Sequence, residues 1–120
     1  MAQAGDVLLD RRSGRRLIFR RTSAQTRGRL IEYALHFAPD EGPAEPCAQL
    51  DREHVLEVVL GKLVACVGGR LQRLSVGDVQ LIGRGEAFAV WNPFPSPAAA
   101  VWQTFPALDT EAQLEAGVRP

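Results

Sequence analysis

Turn residues recur along this chain at a spacing that leaves room for short strands and little else. After residue 30 the apolar runs are broken by Pro39, Gly42, Pro43 and Pro46, then by Gly61, Gly68-Gly69 and Ser75-Val76-Gly77-Asp78. Gly83-Arg84-Gly85 and Asn92-Pro93 follow. Gly tolerates φ > 0, and Pro fixes φ and lacks an N–H, so each interrupts regular structure for its own reason. Gly68-Gly69 reads as a two-residue hairpin turn, where both central residues need φ > 0. The stretches between these breaks predict strands at 16–20, 30–37, 54–60, 63–67, 71–74, 79–82, 87–91 and 99–105. In the second of them Ile31, Tyr33, Leu35 and Phe37 alternate, which marks one buried face. Only the end reads as helix: Thr110 with Gln113 three residues on is a capping-box pattern, and Gly117 is placed to stop the turn. Short strands at this cadence predict an all-β, antiparallel sandwich or barrel. A parallel sheet would need long crossover helices, and none is foreshadowed.

Composition narrows the function classes. The chain has 120 residues, 46% hydrophobic and 23% charged, the profile of one globular domain over residues 1–120. Fourteen basic residues balance fourteen acidic ones, so no bulk charge steers the chain to nucleic acid or to a membrane surface. Two cysteines exclude a disulfide scaffold and a cysteine-based structural zinc site. No apolar run is long enough to span a membrane. The first twenty residues hold five arginines and no apolar core of a signal peptide, so the expected location is cytoplasmic. The charge is nevertheless uneven, because residues 1–40 carry eight arginines against four acids. That excess fits a face for an anionic partner, charged protection of strand edges, or basic and acidic parts meeting across a dimer interface.

From Gly42 onward the turn residues fall in a frame that resembles the cupin superfamily. That family's first motif is Gly, five residues, His-x-His, three or four residues, Glu, six residues, Gly. Gly42 and Gly61 occupy its two glycine positions. The second motif is Gly, five residues, Pro-x-Gly, two residues, His, three residues, Asn. Gly77, Gly85 and Asn92 sit in place, with Gly83 where the proline would be. The stretch Val-Gly-Gly-Arg-Leu-Gln-Arg-Leu-Ser-Val-Gly-Asp at 67–78 is similar to the same region of small cupins. The resemblance implies a double-stranded β-helix, or jelly-roll, barrel with its motif region at 42–92 and a short C-terminal helix.

The resemblance also implies four metal-ligand positions, and here the frame breaks. With a three-residue spacer those positions hold Ala48, Leu50, His54 and Phe88; with a four-residue spacer the first two become Cys47 and Gln49. A transition metal needs about three or four N, O or S donors around one point, so the expectation is a metal-free protein without a cofactor. Alternation then predicts an interior lined by Ala48, Leu50, His54, Leu56, Val58, Phe88 and Val90, with Glu53, Val55 and Glu57 facing out. Such a chamber would bind a small apolar molecule, or the barrel would be filled and the chain would act as a non-catalytic partner, in either case as a homodimer paired through its sheets. The alternative is an enzyme of the isomerase, cyclase or dioxygenase type, with His54 as acid–base group and Tyr33 assisting.

Individual residues carry two readings each. His54 is either a pocket base or a buried neutral histidine bonded to a neighbouring carbonyl. His36, on the face opposite Tyr33, reads as a surface histidine. Glu53 and Glu57 share an outward face and read as solvated or ion-paired. Cys47 would be reactive only beside a basic group, and Cys66 reads as a small hydrophobe. Trp91 and Trp102 either frame a ligand or pack in the core or a dimer interface.

Overall fold

The computed structural model describes residues 3–10, 14–108 and 110–116. Its elements in chain order are β1 (Val7–Leu9), β2 (Arg16–Arg21), α1 (Ser23–Thr26), β3 (Ile31–Phe37), β4 (Glu53–Leu60) and β5 (Lys62–Val67). Then come β6 (Arg70–Ser75), β7 (Val79–Ile82), β8 (Phe88–Trp91), β9 (Ala98–Phe105) and α2 (Thr110–Ala116). Six strands form one sheet in the order β1-β2-β3-β9-β4-β7, and three form a second in the order β6-β5-β8. Every pairing is antiparallel. The predicted strands all form, with ends moved by a residue or two. Two elements went unread: β1, and the single helical turn α1, capped by Thr22 with Gln25 closing a capping box. Thr22 and Gln25 stand in the same pattern as Thr110 and Gln113, so the signal was present. Thr110 does open α2, while the expected stop at Gly117 lies outside the described residues.

Directly paired residues on antiparallel strands share a face, so the ladders spell out the interior. One inner row of the large sheet is Leu17, Leu35, Ala100 and Val58; the next is Phe19, Tyr33, Trp102 and Leu56. Facing them from the small sheet are Leu63, Ala65, Val67, Leu74, Phe88 and Val90, all buried. The expected alternation of β4 holds: His54, Leu56 and Val58 are buried, while Glu57 is exposed and Glu53 reaches Arg84 at 3.6 Å. Each large apolar side chain taken from water contributes roughly 2–3 kcal/mol, and this double layer joins the sheets. Gly61, between β4 and β5, has φ +68°, and a Cβ there would lie 2.5 Å from the carbonyl oxygen of Pro97. Only glycine fits that contact.

The uneven charge closes partly within the chain. Arg15, from the basic third, binds Glu41 through Nε (2.9 Å) and Nη2 (3.1 Å) and donates from Nη2 to the Val90 carbonyl (3.0 Å). Its guanidinium lies 4.6 Å over the Phe37 ring. Glu41 also accepts from the Asn92 backbone N–H (3.0 Å), and the buried Asn92 amide donates to the Ala38 and Ser96 carbonyls. This clasp fastens the β3–β4 loop to the end of β8. At the far end of β3, Glu32 meets Arg20, Arg21 and Gln103. Burial works to raise its pKa, but hydrogen bonds from Arg21 and Gln103 and both arginine charges hold it below the ordinary value. His36 is half-buried on the outer face, where burial and Arg16 lower its pKa.

Candidate functional site

The end of the jelly roll where the family would hold a metal is built by β4, β8, β9 and the loop before β4. His54 pairs with Thr104 across β4–β9, so imidazole and hydroxyl point the same way, and Trp102 follows two residues away on that face. The indole Nε1–H donates to His54 Nδ1 at 3.1 Å. An indole nitrogen can only donate, so Nδ1 is the unprotonated acceptor. Thr104 Oγ1, 2.9 Å from the same Nδ1, therefore donates as well. The ring proton is on Nε2, which donates to Gln49 Oε1 at 2.6 Å. Both imidazole nitrogens are committed, and the ring is neutral.

Protonating Nδ1 would set one N–H against another. Burial, joined by the positive charge of Arg52, lowers the His54 pKa to about 4. Arg52 is itself buried, held by Asp51 and donating from Nη1 to Thr110 Oγ1 at 2.9 Å, which anchors α2 at this end. The Phe88 ring centre lies 5.0 Å from that of His54, and Trp102 lies 6.0 Å from both. Tyr33 stacks near Trp102 at 6.4 Å. Its hydroxyl is fully buried without a hydrogen bond of good geometry. Burial pushes the phenol far up, Thr104 beside it pulls back, and Cys47 adds to the rise.

The loop before β4 corrects the expected lining. Cys47 and Phe88 exchange backbone hydrogen bonds (2.9 and 2.7 Å), and Gln49 accepts from the Gly85 N–H at 2.9 Å. This bridge fixes the alternation: Cys47, itself exposed, lies on the same side as Phe88, the half-buried Gln49 follows it, and Ala48 and Leu50 turn the other way. Both are exposed, Leu50 at 82%, so neither lines the interior. The four-residue spacer is the one the fold adopts, because pairing with Phe88 sets the register and Gly42 does not. His54, Leu56, Val58, Phe88 and Val90 do converge inside. Sequence reasoning missed Thr104 and gave Trp102 no link to His54. Their alternation with Ala100 places both on one face, but nothing local shows that β9 pairs with β4.

Two facing antiparallel sheets with this site at one end define a jelly roll, and comparison with solved structures narrows the class. The chain has the cupin fold. KdgF from a Halomonas species superposes with a TM-score of 0.75 over 92% of this chain and 99% of its own, at 15% identity. The cupin domain of Cnp3 from Schizosaccharomyces pombe gives 0.70 over 96% and 77%, at 10% identity. The Cupin_2 domain of an XRE family transcriptional regulator from Enterobacter cloacae gives 0.65 over 76% and 95%, at 13%. No protein-family model matches the chain, and no curated protein matches it by sequence.

In the register set by the Cys47–Phe88 bridge, the residues that the resemblance puts at the four metal-ligand positions are Cys47, Gln49, His54 and Phe88. They do not fit a transition metal. The imidazole has no lone pair to spare, the carboxamide oxygen is spent on the imidazole, and a phenyl ring fills the fourth place. Among the described residues no group of three His, Cys, Asp or Glu side chains could hold an ion.

Proposed function

We propose that this chain is a metal-free, non-catalytic cupin that acts by association. The observation that carries the reading is the commitment of both His54 nitrogens inside a packed interior, which leaves no free base and no open coordination point. An acid–base role for His54 would first require Trp102 or Gln49 to let go. The solved cupin domains of Cnp3 and of the transcriptional regulator are parts of larger proteins by their own descriptions, which suits a module that works by contact.

The surface for that contact is the outer face of the large sheet. One cross-strand row reads Val7, Ile18, Ala34, Val101, Glu57 and Val79, with Val55 and Leu81 beside it. Arginines of β2 and Glu57 of β4 lie on either side of the middle of this face. A two-fold axis there sets Arg16 or Arg20 of one copy near Glu57 of another, which favours a homodimer. Sedimentation of the whole chain tests this: a dimer is expected, and Val101→Arg is expected to give a monomer. A monomeric wild type overturns the dimer. Loading with Fe(II), Mn(II), Zn(II), Ni(II) or Cu(II) and then desalting is expected to leave under about a tenth of an equivalent. Stoichiometric metal, lost in His54→Gln, overturns the metal-free reading.

A second reading is favoured by the Tyr33 hydroxyl. A buried O–H without a partner costs about 1–3 kcal/mol, and a small apolar molecule with one acceptor atom would relieve it. Native mass spectrometry of the purified chain tests this. The reading expects a small molecule on the wild type that is absent from Tyr33→Phe, and it fails if none is carried.

A further inference from the structure

Away from the His54 end, a second group of polar side chains on the inward side of the sheets gathers along one seam. β6 is an edge of the small sheet and β7 an edge of the large one, and the sheets part between them. Register places Arg70 opposite Val67, Gln72 opposite the buried Ala65, and Gln80 opposite the buried Leu56. All three polar residues therefore stand on the side that faces the other sheet, at its open edge, where Arg70 and Gln72 are exposed and Gln80 is half-buried. With Val67, Leu81 and Glu86 they line a crevice of about 120 Å³. That is room for roughly four water molecules at liquid volume, the bulk of a small amino acid.

The charges in this crevice are opposite, and they do not meet. Glu86 is held in place: its Oε1 accepts from the Gly83 N–H at 2.7 Å. A Cβ at Gly68 would sit 3.4 Å from its Oε2, so the carboxylate lies against the β5–β6 turn. Arg70 stands at the other end of that same turn, yet neither residue joins an ion pair among the described residues. Gln80 donates to the Leu81 carbonyl at 2.8 Å, which leaves its amide oxygen for a ligand, and the Gln72 side chain carries no hydrogen bond among the described residues.

We propose that the β6–β7 seam binds a small zwitterion of the α-amino acid type, its carboxylate against Arg70 and its ammonium against Glu86, with Gln72 and Gln80 satisfying the remaining polar atoms. The site is separate from the His54 end and shares only Leu81 with the proposed dimer face. A guanidinium takes a carboxylate in two parallel hydrogen bonds, and a fixed carboxylate selects the ammonium. A simple anion or a simple cation meets one favourable and one opposing charge, so it gains less than the zwitterion.

Titration of the isotope-labelled full chain with L-alanine, followed by NMR at the Gln72 and Gln80 side-chain amides, tests this. Saturable shifts are expected with L-alanine. Acetate and methylammonium are expected to bind at least about tenfold more weakly. Arg70→Gln and Glu86→Gln, both exposed changes that leave the core and the Gly83 turn contact in place, are each expected to weaken L-alanine by about tenfold or more. Absence of saturable shifts overturns the proposal. So does acetate binding as tightly as L-alanine with Glu86→Gln without effect, which would make the seam a plain anion site.

Discussion

Two parts of the same interior treat polar groups in opposite ways. At the His54 end every donor of the imidazole network has an acceptor, and the Tyr33 hydroxyl is the exception: Trp102 and Thr104 serve Nδ1, and Nε2 serves Gln49. Aromatic rings close over the result. At the β6–β7 seam Arg70, Gln72 and Gln80 also sit on the inward side, but Arg70 and Gln72 are exposed and Gln80 is half-buried, so solvent reaches them. A polar group in a closed core must be satisfied by its neighbours, because desolvation there is costly. A polar group at an open edge need not be. The place where the fold family holds its metal is thus filled by a network that stabilises the core, and both proposed recognition surfaces lie elsewhere, at the rim and on the outer face.

If that contrast is correct, damage at the closed end is expensive. Trp102→Ala is expected to lose about 3–5 kcal/mol by cavity formation, and more if the orphaned imidazole cannot rotate; chemical denaturation measures it. A loss under about 1 kcal/mol would mean that the closed end is loosely packed.

The same contrast predicts a pH dependence. The folded pKa of His54, about 4, lies below its unfolded value near 6.5. The unfolded state therefore binds more protons between the two, and stability falls as pH drops through that window. Full stability from this group is present above pH ~6.5, and about 3 kcal/mol is lost by pH ~4. Glu32, with its lowered pKa, adds a loss of the same sign at lower pH. His54→Gln is expected to flatten the upper part of the acid limb, and an unchanged limb would remove His54 as its source. His54→Leu is expected to cost about 2 kcal/mol even at pH 8, because it orphans the Trp102 N–H. A neutral or stabilising result would show the hydrogen bonds there to be expendable.

Smaller effects map the frame around both regions. Gly61→Ala is expected to cost about 2 kcal/mol from its left-handed φ and its approach to Pro97. Glu41→Gln, which weakens the clasp on Arg15, is expected to cost about 1–2 kcal/mol and to loosen the loop before β4; thermal melts and hydrogen exchange at Asn92 report both. Arg70→Gln at the seam is expected to change stability by less than about 0.5 kcal/mol, the sharpest contrast with Trp102.

Much of this was written locally. Turn residues marked every strand but β1, and alternation sorted Ile31, Tyr33, Leu35 and Phe37 from their neighbours, because both signals act within a few residues. The same alternation placed His54, Leu56 and Val58 inside. What local pattern left undecided was the loop at 43–52, where two registers competed. The wrong one brought Ala48 and Leu50 inward, because no periodic strand there announces its faces. A backbone bridge from Cys47 to Phe88, forty-one residues away, decided it. Likewise the protonation state of His54 depends on Trp102 and Thr104, brought beside it only when β9 inserts between β3 and β4. Sequence determines which faces are greasy, since that is a matter of period; tertiary structure decides which polar groups find partners, since those contacts join strands far apart in the chain.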